Sequence, residues 1–139
     1  MHKNMKKAVF LDRDGLLIED VGFISRTEDV HFFPFTFASL RRLQEKFILF
    51  IVTNQAGIAA GVTSESEVAA VNNYILHTLK NEGIAIAELF CCPHSDKDKC
   101  KCRKPSPYFA HVAAKKHNVD LSKSYMIGDH PSDVRFAEN

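Results

Sequence analysis

Four short apolar runs constrain the fold of this chain more than any other feature. They are KAVFL (7–11), FILFIVTN (47–54), AIAELFCC (85–92) and SYMIGD (124–129). Uninterrupted apolar runs of this length are typical of strands buried on both faces of a parallel sheet. The sequence therefore predicts four such strands.

Helical patterns separate these runs. Residues 36–46 place three apolar side chains on one helical face, and a longer pattern begins at Ser64, where SESE forms a capping box with Glu67. Gly83 supplies a stop signal for that helix, and a further helix is predicted over 107–117. Strands alternating with helices predict an α/β fold, a doubly wound, Rossmann-like parallel sheet. The apolar helical positions are Phe37, Leu40 and Leu43 in the first helix and Val68, Val71, Ile75 and Leu79 in the second.

Length and charge set the class of protein. A chain of 139 residues fits a single domain, expected to cover 1–139. The net charge is +1, which gives no electrostatic reason to expect nucleic acid or an anionic membrane as a partner. No apolar run approaches the roughly 20 residues of a membrane span. The apolar run after the basic start is too short for a signal peptide, so a cytoplasmic location is expected.

The polar residues gather at the predicted carboxyl ends of the strands, where open α/β sheets bind their ligands. Two aspartates spaced i, i+2 can offer oxygen ligands to Mg²⁺, and a nearby lysine limits repulsion between the carboxylates and an anionic substrate. A threonine hydroxyl suits phosphate oxygens. Taken alone, such an aspartate pair is more often a turn or a cap; four such groups in order favour a catalytic site. They are Asp12 and Asp14, Thr53 with Asn54, Arg103 with Lys104, and Asp129 with Asp133.

This ordered set resembles the haloacid dehalogenase-like (HAD) phosphohydrolases. FLDRDG resembles their first motif, IVTN the second, CRKP the third and IGDHPSD the fourth, from about Lys7 onward. The resemblance implies a HAD-type sheet and a Mg²⁺-dependent phosphatase with an aspartyl-phosphate intermediate. No inserted cap domain is visible between the first, second and third motifs, so the loop 19–33 and the cysteine-rich loop are expected to control access to the site.

The resemblance also implies roles for individual residues. Asp12 is the nucleophile, and Asp14 is the general acid and then the general base. Thr53 and Lys104 hold the phosphoryl group, and Lys104 also neutralises Asp12. Mg²⁺ is held by Asp12, the backbone carbonyl of Asp14, and Asp129, with Asp133 supporting that set.

All four cysteines lie within CCPHSDKDKCKCRKP (91–105). Cys92, His94, Cys100 and Cys102 form a Cys₃His set that would fill a tetrahedral zinc site and leave no position for water, which predicts a structural Zn²⁺. A disulfide is the weaker interpretation without a secretion signal, and unrelated thiols in a loop are the remaining one. The fourth cysteine, Cys91, is assigned to the core.

Within the HAD group, the CPH…CxCRKP arrangement is similar to the D,D-heptose 1,7-bisphosphate phosphatases and the histidinol-phosphate phosphatase domains. TNQAGIAAG favours the first branch, in which Asn54 and Arg103 would contact substrate, although Ala60 stands where an arginine is usual. D-glycero-D-manno-heptose 1,7-bisphosphate is therefore the leading substrate. The alternatives are histidinol phosphate, another small phosphorylated metabolite, or an inactive zinc-containing interaction module.

The end of the chain at Asn139 falls within the helix expected after Asp133. Members of the resembled family continue beyond this point. A truncated C-terminus that lacks the last edge strand is therefore expected, together with either a monomer or self-association over the exposed sheet edge.

Overall fold

The computed structural model describes residues 5–128 and 131–139, in which four parallel strands form one sheet in the order β3-β2-β1-β4. The strands are β1 Ala8–Leu11, β2 Ile48–Asn54, β3 Ile86–Cys92 and β4 Tyr125–Ile127. The helices are α1 Thr36–Leu43, α2 Glu65–Asn81, α3 Tyr108–His117 and α4 Pro131–Glu138, with 3₁₀ turns at Thr27–Asp29, Asp96–Asp98 and Leu121–Lys123. The predicted doubly wound α/β architecture is confirmed.

Side chains that alternate along the strands build two cores, one on each face of the sheet. Val9 and Leu11 of β1 pack with the apolar faces of α1 and α2. Ala8 and Phe10 point to the opposite face and pack with α3 and α4. Phe50 is completely buried there, stacked on Phe10 at 5.2 Å between ring centroids. Burial of such a ring contributes on the order of 2–3 kcal/mol. The two-sided burial of β1 and β2 explains their unbroken apolar runs.

The strand order locates the ligand-binding edge. The chain moves from β1 to β2 and β3 on one side and then returns to place β4 on the other side of β1. The order therefore reverses at β1, and a crevice forms there beyond the carboxyl ends of the strands. The predicted polar groups follow those ends.

Helix α2 shows how closely local sequence signals set the element boundaries. Ser64 caps the helix through the amide of Glu67, and the Glu67 carboxylate accepts from the Ser64 amide, so the predicted capping box is confirmed. At the other end Gly83 adopts a φ of +78°, which favours glycine. The described helices contain no segment long and apolar enough to cross a bilayer.

Strand β4 differs from its prediction. It spans three residues instead of the six of SYMIGD, and two of its side chains are exposed, Tyr125 at 61% and Ile127 at 37%. The reason is its position: among the residues that the structure describes, β4 pairs only with β1 and forms an edge of the sheet. In the described ranges no strand lies beyond β4, and no inserted domain separates β1 from β2.

Candidate active site

The first acidic residue of the site, Asp12, directly follows β1 and pairs with Lys104. The Lys104 ammonium donates to Asp12 Oδ1 at 3.0 Å, to Asp133 Oδ1 at 2.7 Å and to the carbonyl of Val52 at 2.9 Å. Lys104 is only 4% exposed, so its three bonds form in a nearly dry environment. Asp12 Oδ1 also accepts from the amide of Arg13 at 2.8 Å. Among the described residues, none donates to Asp12 Oδ2, which is therefore available to a ligand.

The electrostatic balance at Asp12 is adverse to its ionised form. Burial raises the pKa of Asp12 to about 6, Lys104 opposes that rise, and the neighbouring carboxylate of Asp133 adds to it. A divalent cation beside Asp12 would offset this cost because it attracts the carboxylate charge.

The second acidic residue, Asp14, has a cation of its own. The Arg13 guanidinium donates from Nε to Asp14 Oδ2 at 3.1 Å and from Nη2 to Oδ1 at 3.0 Å. Gln55 Nε2 donates to the same Oδ2 at 2.9 Å and lies 2.7 Å from the hydroxyl oxygen of Thr53. The two aspartates are therefore charge-compensated separately, Asp12 by Lys104 and Asp14 by Arg13.

Asn54, which ends β2, fixes the segment that carries Lys104. Its Oδ1 accepts from the Lys104 amide at 3.1 Å, and its Nδ2 donates to the Lys104 carbonyl at 3.4 Å. Arg103 donates from Nη1 to the carbonyl of His94 at 3.0 Å. Both residues line the cavity, and Asn54 also stabilises the segment that carries Lys104.

The cysteine-rich segment forms a cluster of side chains next to this site that could hold a metal ion. The ligand atoms of its four predicted members all lie within 4.8 Å of one another. The distances from Cys92 Sγ are 3.0 Å to Cys102 Sγ, 3.5 Å to Cys100 Sγ and 3.5 Å to His94 Nδ1. A tetrahedral zinc with Zn–S bonds of about 2.3 Å requires sulfur separations of roughly 3.8 Å, so a small expansion of this cluster accommodates the ion.

The cysteines of this segment also have perturbed thiols. Burial raises the pKa of the Cys92 thiol, with further contributions from neighbouring cysteines, and a bound cation would favour its thiolate. Burial also raises the pKa of Cys91, which lies outside the cluster. The donor set and its closeness are those of a structural zinc site. The disulfide interpretation finds no support, because all four cysteines are free.

The carboxyl ends of the strands open into a cavity of 660 Å³. The loop 19–33 forms one wall, and α4 contributes Arg135 to another. Gly57 lies behind that loop: a Cβ there would meet the Phe23 ring at 2.8 Å. A second cavity of 280 Å³, between α3, α4 and β4, contains no carboxylate side chain. The lining of the larger cavity is Asp12, Asp14, Asp20, Gly22, Phe23, Asn54, Gln55, Ala56, Arg103, Lys104, Pro105, Ser132, Asp133 and Arg135.

Gly128, at the end of β4, explains how Asp133 reaches Lys104. A Cβ on Gly128 would overlap the Asp133 carboxylate, so only glycine lets α4 bring that side chain onto the strand end. Asp133 is 2% exposed and lies in the first turn of α4. The glycine of the predicted fourth motif therefore has a steric role.

Most of the predicted site residues converge, with two qualifications. Thr53 is 1% exposed and is not part of the cavity lining; its hydroxyl lies under Gln55. Asp129, the third predicted Mg²⁺ ligand, lies outside the described residues. The predicted residues that do meet at the cavity are Asp12, Asp14, Asn54, Arg103, Lys104 and Asp133.

Three residues of the site were missed by sequence reasoning as functional positions. Arg13 lies between two assigned residues and Gln55 lies beside one, so both were visible within the quoted motifs. The sequence did not show that both donate to Asp14. Arg135 lies on α4 and had no distinguishing pattern, because a single arginine on a helix is ordinary. Only the folded chain brings it to the cavity.

The sheet order and the aspartate–lysine pairing agree with the HAD-like class of hydrolases, and a family model described as HAD-hydrolase-like matches residues 101–139. The chain is 35% identical to the D-glycero-alpha-D-manno-heptose-1,7-bisphosphate 7-phosphatase of Photorhabdus laumondii, covering 99% of this chain and 80% of the relative. It is 38% identical to the D-glycero-beta-D-manno-heptose-1,7-bisphosphate 7-phosphatase of Haemophilus ducreyi, covering 96% and 78%.

A solved structure agrees with these relatives. The crystal structure of D,D-heptose 1,7-bisphosphate phosphatase from B. bronchiseptica, complexed with magnesium and phosphate, matches with a TM-score of 0.86 and 30% identity over 95% of this chain and 75% of that one. The chain thus belongs to the heptose-1,7-bisphosphate 7-phosphatase family of HAD-like phosphoric monoester hydrolases. The predicted family and enzyme class are confirmed.

Proposed function

We propose that this protein hydrolyses one phosphate of a D-glycero-D-manno-heptose 1,7-bisphosphate in a Mg²⁺-dependent reaction, releasing the phosphate at position 7. One observation carries this proposal. Asp12, paired with Lys104, and Asp14, paired with Arg13, both line the same cavity of 660 Å³. The named relatives supply the substrate class, since they share at least 33% identity with nearly the whole chain.

Asp12 acts as the nucleophile. Its free Oδ2 attacks the phosphorus, the ester oxygen leaves with its bonding electrons, and an aspartyl-phosphate forms. Lys104 remains on Oδ1 and reduces the repulsion between the carboxylate and the phosphate. Mg²⁺ would be held by Asp12, the Asp14 carbonyl and Asp129, and it would supply positive charge to the phosphoryl oxygens.

Asp14 acts as the general acid and then as the general base. Protonated, it donates to the leaving sugar oxygen; as a carboxylate, it then takes a proton from the water that cleaves the aspartyl-phosphate. Its side chain is 19% exposed at the cavity, whereas its cation Arg13 is fully buried, so Asp14 is the member of that pair that reaches substrate. Asn54, Arg103 and Arg135 are the groups available to orient the sugar and its second phosphate.

The zinc cluster has a positioning role in this proposal. Its last ligand, Cys102, is followed directly by Arg103 and Lys104, so an ordered metal centre restricts the backbone that directs both cations. Three ligating thiols require a reducing compartment, which supports a cytoplasmic location.

Phosphate release tests the proposal. Zinc-loaded protein is assayed with both anomers of the heptose 1,7-bisphosphate, with histidinol phosphate and with a nucleotide monophosphate, each with and without Mg²⁺. We expect turnover of the heptose bisphosphate with Mg²⁺, loss of only the phosphate at position 7 by ³¹P NMR, and no turnover by Asp12→Asn. Equal rates for Asp12→Asn and wild type would refute the enzyme; preference for histidinol phosphate would refute the substrate.

A further inference from the structure

The cavity floor rests on an arginine that no substrate can touch. Arg13 is 0% exposed and is absent from the cavity lining, although it stands between the two catalytic aspartates in the chain. Its guanidinium points toward α2, where Nη1 donates to Asn72 Oδ1 at 2.8 Å in a buried contact. Arg13 therefore connects a catalytic loop to the helix behind it.

The contact between Arg13 and Asp14 has a defined orientation. Nε and Nη2 donate to the two carboxylate oxygens at 3.1 Å and 3.0 Å, which is the parallel two-bond arrangement of a guanidinium and a carboxylate. This arrangement sets the plane of the carboxylate as well as its distance. Gln55 adds a third donor to Oδ2 at 2.9 Å.

Stability gives no sufficient reason for this buried pair. Desolvating a guanidinium is energetically costly, and apolar residues of similar volume often replace buried ion pairs without loss of stability. Asn72 presents the same difficulty, because it is 7% exposed on a face of α2 that otherwise carries apolar residues such as Val71 and Ile75. The burial of Arg13 and Asn72 is explained if these two residues keep the Asp14 side chain in a fixed direction.

We propose that Arg13 is a positioning residue for Asp14, held in place from behind by Asn72, and that it keeps the Asp14 carboxylate aimed at the leaving oxygen. The inference rests on the proton-transfer role proposed for Asp14. It assigns each aspartate its own cation, since Lys104 is fully engaged with Asp12, Asp133 and the Val52 carbonyl. Arg13 acts on the chemistry only through Asp14.

The test is a set of variants measured with the heptose bisphosphate. Arg13→Met is expected to lower kcat about 100-fold with little change in KM, the loss that follows from misplacing a catalytic group by about 1 Å. Arg13→Lys keeps the positive charge but lacks the two parallel N–H donors of the guanidinium. Its kcat should exceed that of Arg13→Met by less than about 10-fold. Asn72→Leu leaves the pair intact but removes its support, and lowers kcat by about 10-fold. Arg41→Met breaks a surface pair with Glu82 and serves as the matched control.

A double-mutant cycle separates positioning from a structural role. Because Arg13 acts through Asp14, Arg13→Met should add no further loss in an Asp14→Asn background, where kcat is already down about 10²- to 10⁴-fold. A multiplicative loss in that background overturns the proposal. So does a kcat within twofold of wild type for Arg13→Met or Asn72→Leu.

Fold is monitored by thermal unfolding and zinc content. If Arg13→Met does not fold, Asn72→Leu decides: a drop in kcat at unchanged KM that disappears in the Asp14→Asn background supports positioning, and unchanged kcat overturns it. Full activity of Asp14→Asn itself would instead refute the proton-transfer role, and with it the basis of the inference. If Arg13→Met keeps the wild-type kcat while Asp14→Asn is inactive, only the positioning role of Arg13 is refuted.

Discussion

Replacing Asp12, the proposed nucleophile, with asparagine is predicted to stabilise the Mg²⁺-free protein while abolishing its activity. Burial raises the pKa of this carboxyl from 3.8 to about 6. The unfolded chain releases the proton near pH 3.8, so between about pH 4 and 6 the folded state binds more protons than the unfolded state. Stability from this group is therefore complete below pH 3.8 and is lost as the pH rises through 6. Asparagine cannot ionise and retains it.

The magnitude follows from the size of the shift. Two pKa units at 1.36 kcal/mol each give a penalty of about 3 kcal/mol above pH 7 and about 1.5 kcal/mol at pH 5. The Asp12 side chain is only 13% exposed, so solvent screening reduces these values little. For a chain of this length, about 3 kcal/mol corresponds to a rise in Tm of roughly 10 °C. Asparagine still offers Oδ1 to Lys104 and to the Arg13 amide, so the local hydrogen bonds survive.

Urea unfolding of zinc-loaded protein between pH 5 and 8, without Mg²⁺ and without chelator, measures the effect. The gap between Asp12→Asn and wild type should widen with pH, and added Mg²⁺ should narrow it by stabilising only the wild type. The exposed Asp29→Asn is the control and should change stability by less than about 0.5 kcal/mol. An Asp12→Asn protein that is no more stable than wild type at pH 8, or a gap that does not depend on pH, would refute the reasoning.

Three further outcomes test the steric, metal and substrate arguments. Gly128→Ala should force the Asp133 carboxylate away from its ion pair and cost about 1–3 kcal/mol of stability together with most of kcat, as read by thermal unfolding and phosphate release; a fully active variant would contradict the overlap. Cys102→Ser should lose zinc by elemental analysis and lower kcat, whereas Cys91→Ser, outside the cluster, should keep one equivalent of zinc. Arg135→Ala should raise KM for the bisphosphate by about tenfold, the loss of one charge-assisted contact, and leave KM for a heptose monophosphate unchanged; equal KM shifts for both would remove Arg135 from recognition of the second phosphate.

The strands and helices could be predicted from the chain because their signals are local. The capping box at Ser64 and the glycine stop at Gly83 give the bounds of α2 within a residue. Burial on both faces shows directly as unbroken apolar runs in β1 and β2. The same rule overextended β4, because its sequence does not reveal that, within the described part of the chain, this strand pairs on one side only.

The residue types of the site could also be predicted, since carboxylates after strands and closely spaced cysteines carry chemical information in themselves. The pairing of each carboxylate with a particular cation could not be predicted. Sequence reasoning paired Lys104 with Asp12, and the structure adds Asp133 to the same ammonium and gives Asp14 a separate cation. Its assignment of Thr53 to the phosphate stays a prediction; the folded chain buries this side chain and places its hydroxyl 2.7 Å from Gln55 Nε2.

The sequence by itself predicted the class of fold and singled out the two aspartates and the Cys₃His set, because each depends on residue identity and short spacing. The tertiary structure alone decided that Arg13 turns inward to Asn72, that Arg135 reaches the cavity, and that a missing Cβ at Gly128 admits Asp133. These contacts join residues that are distant in the chain, and their strength depends on burial. Burial and distance are properties of the packed molecule, which no local pattern contains.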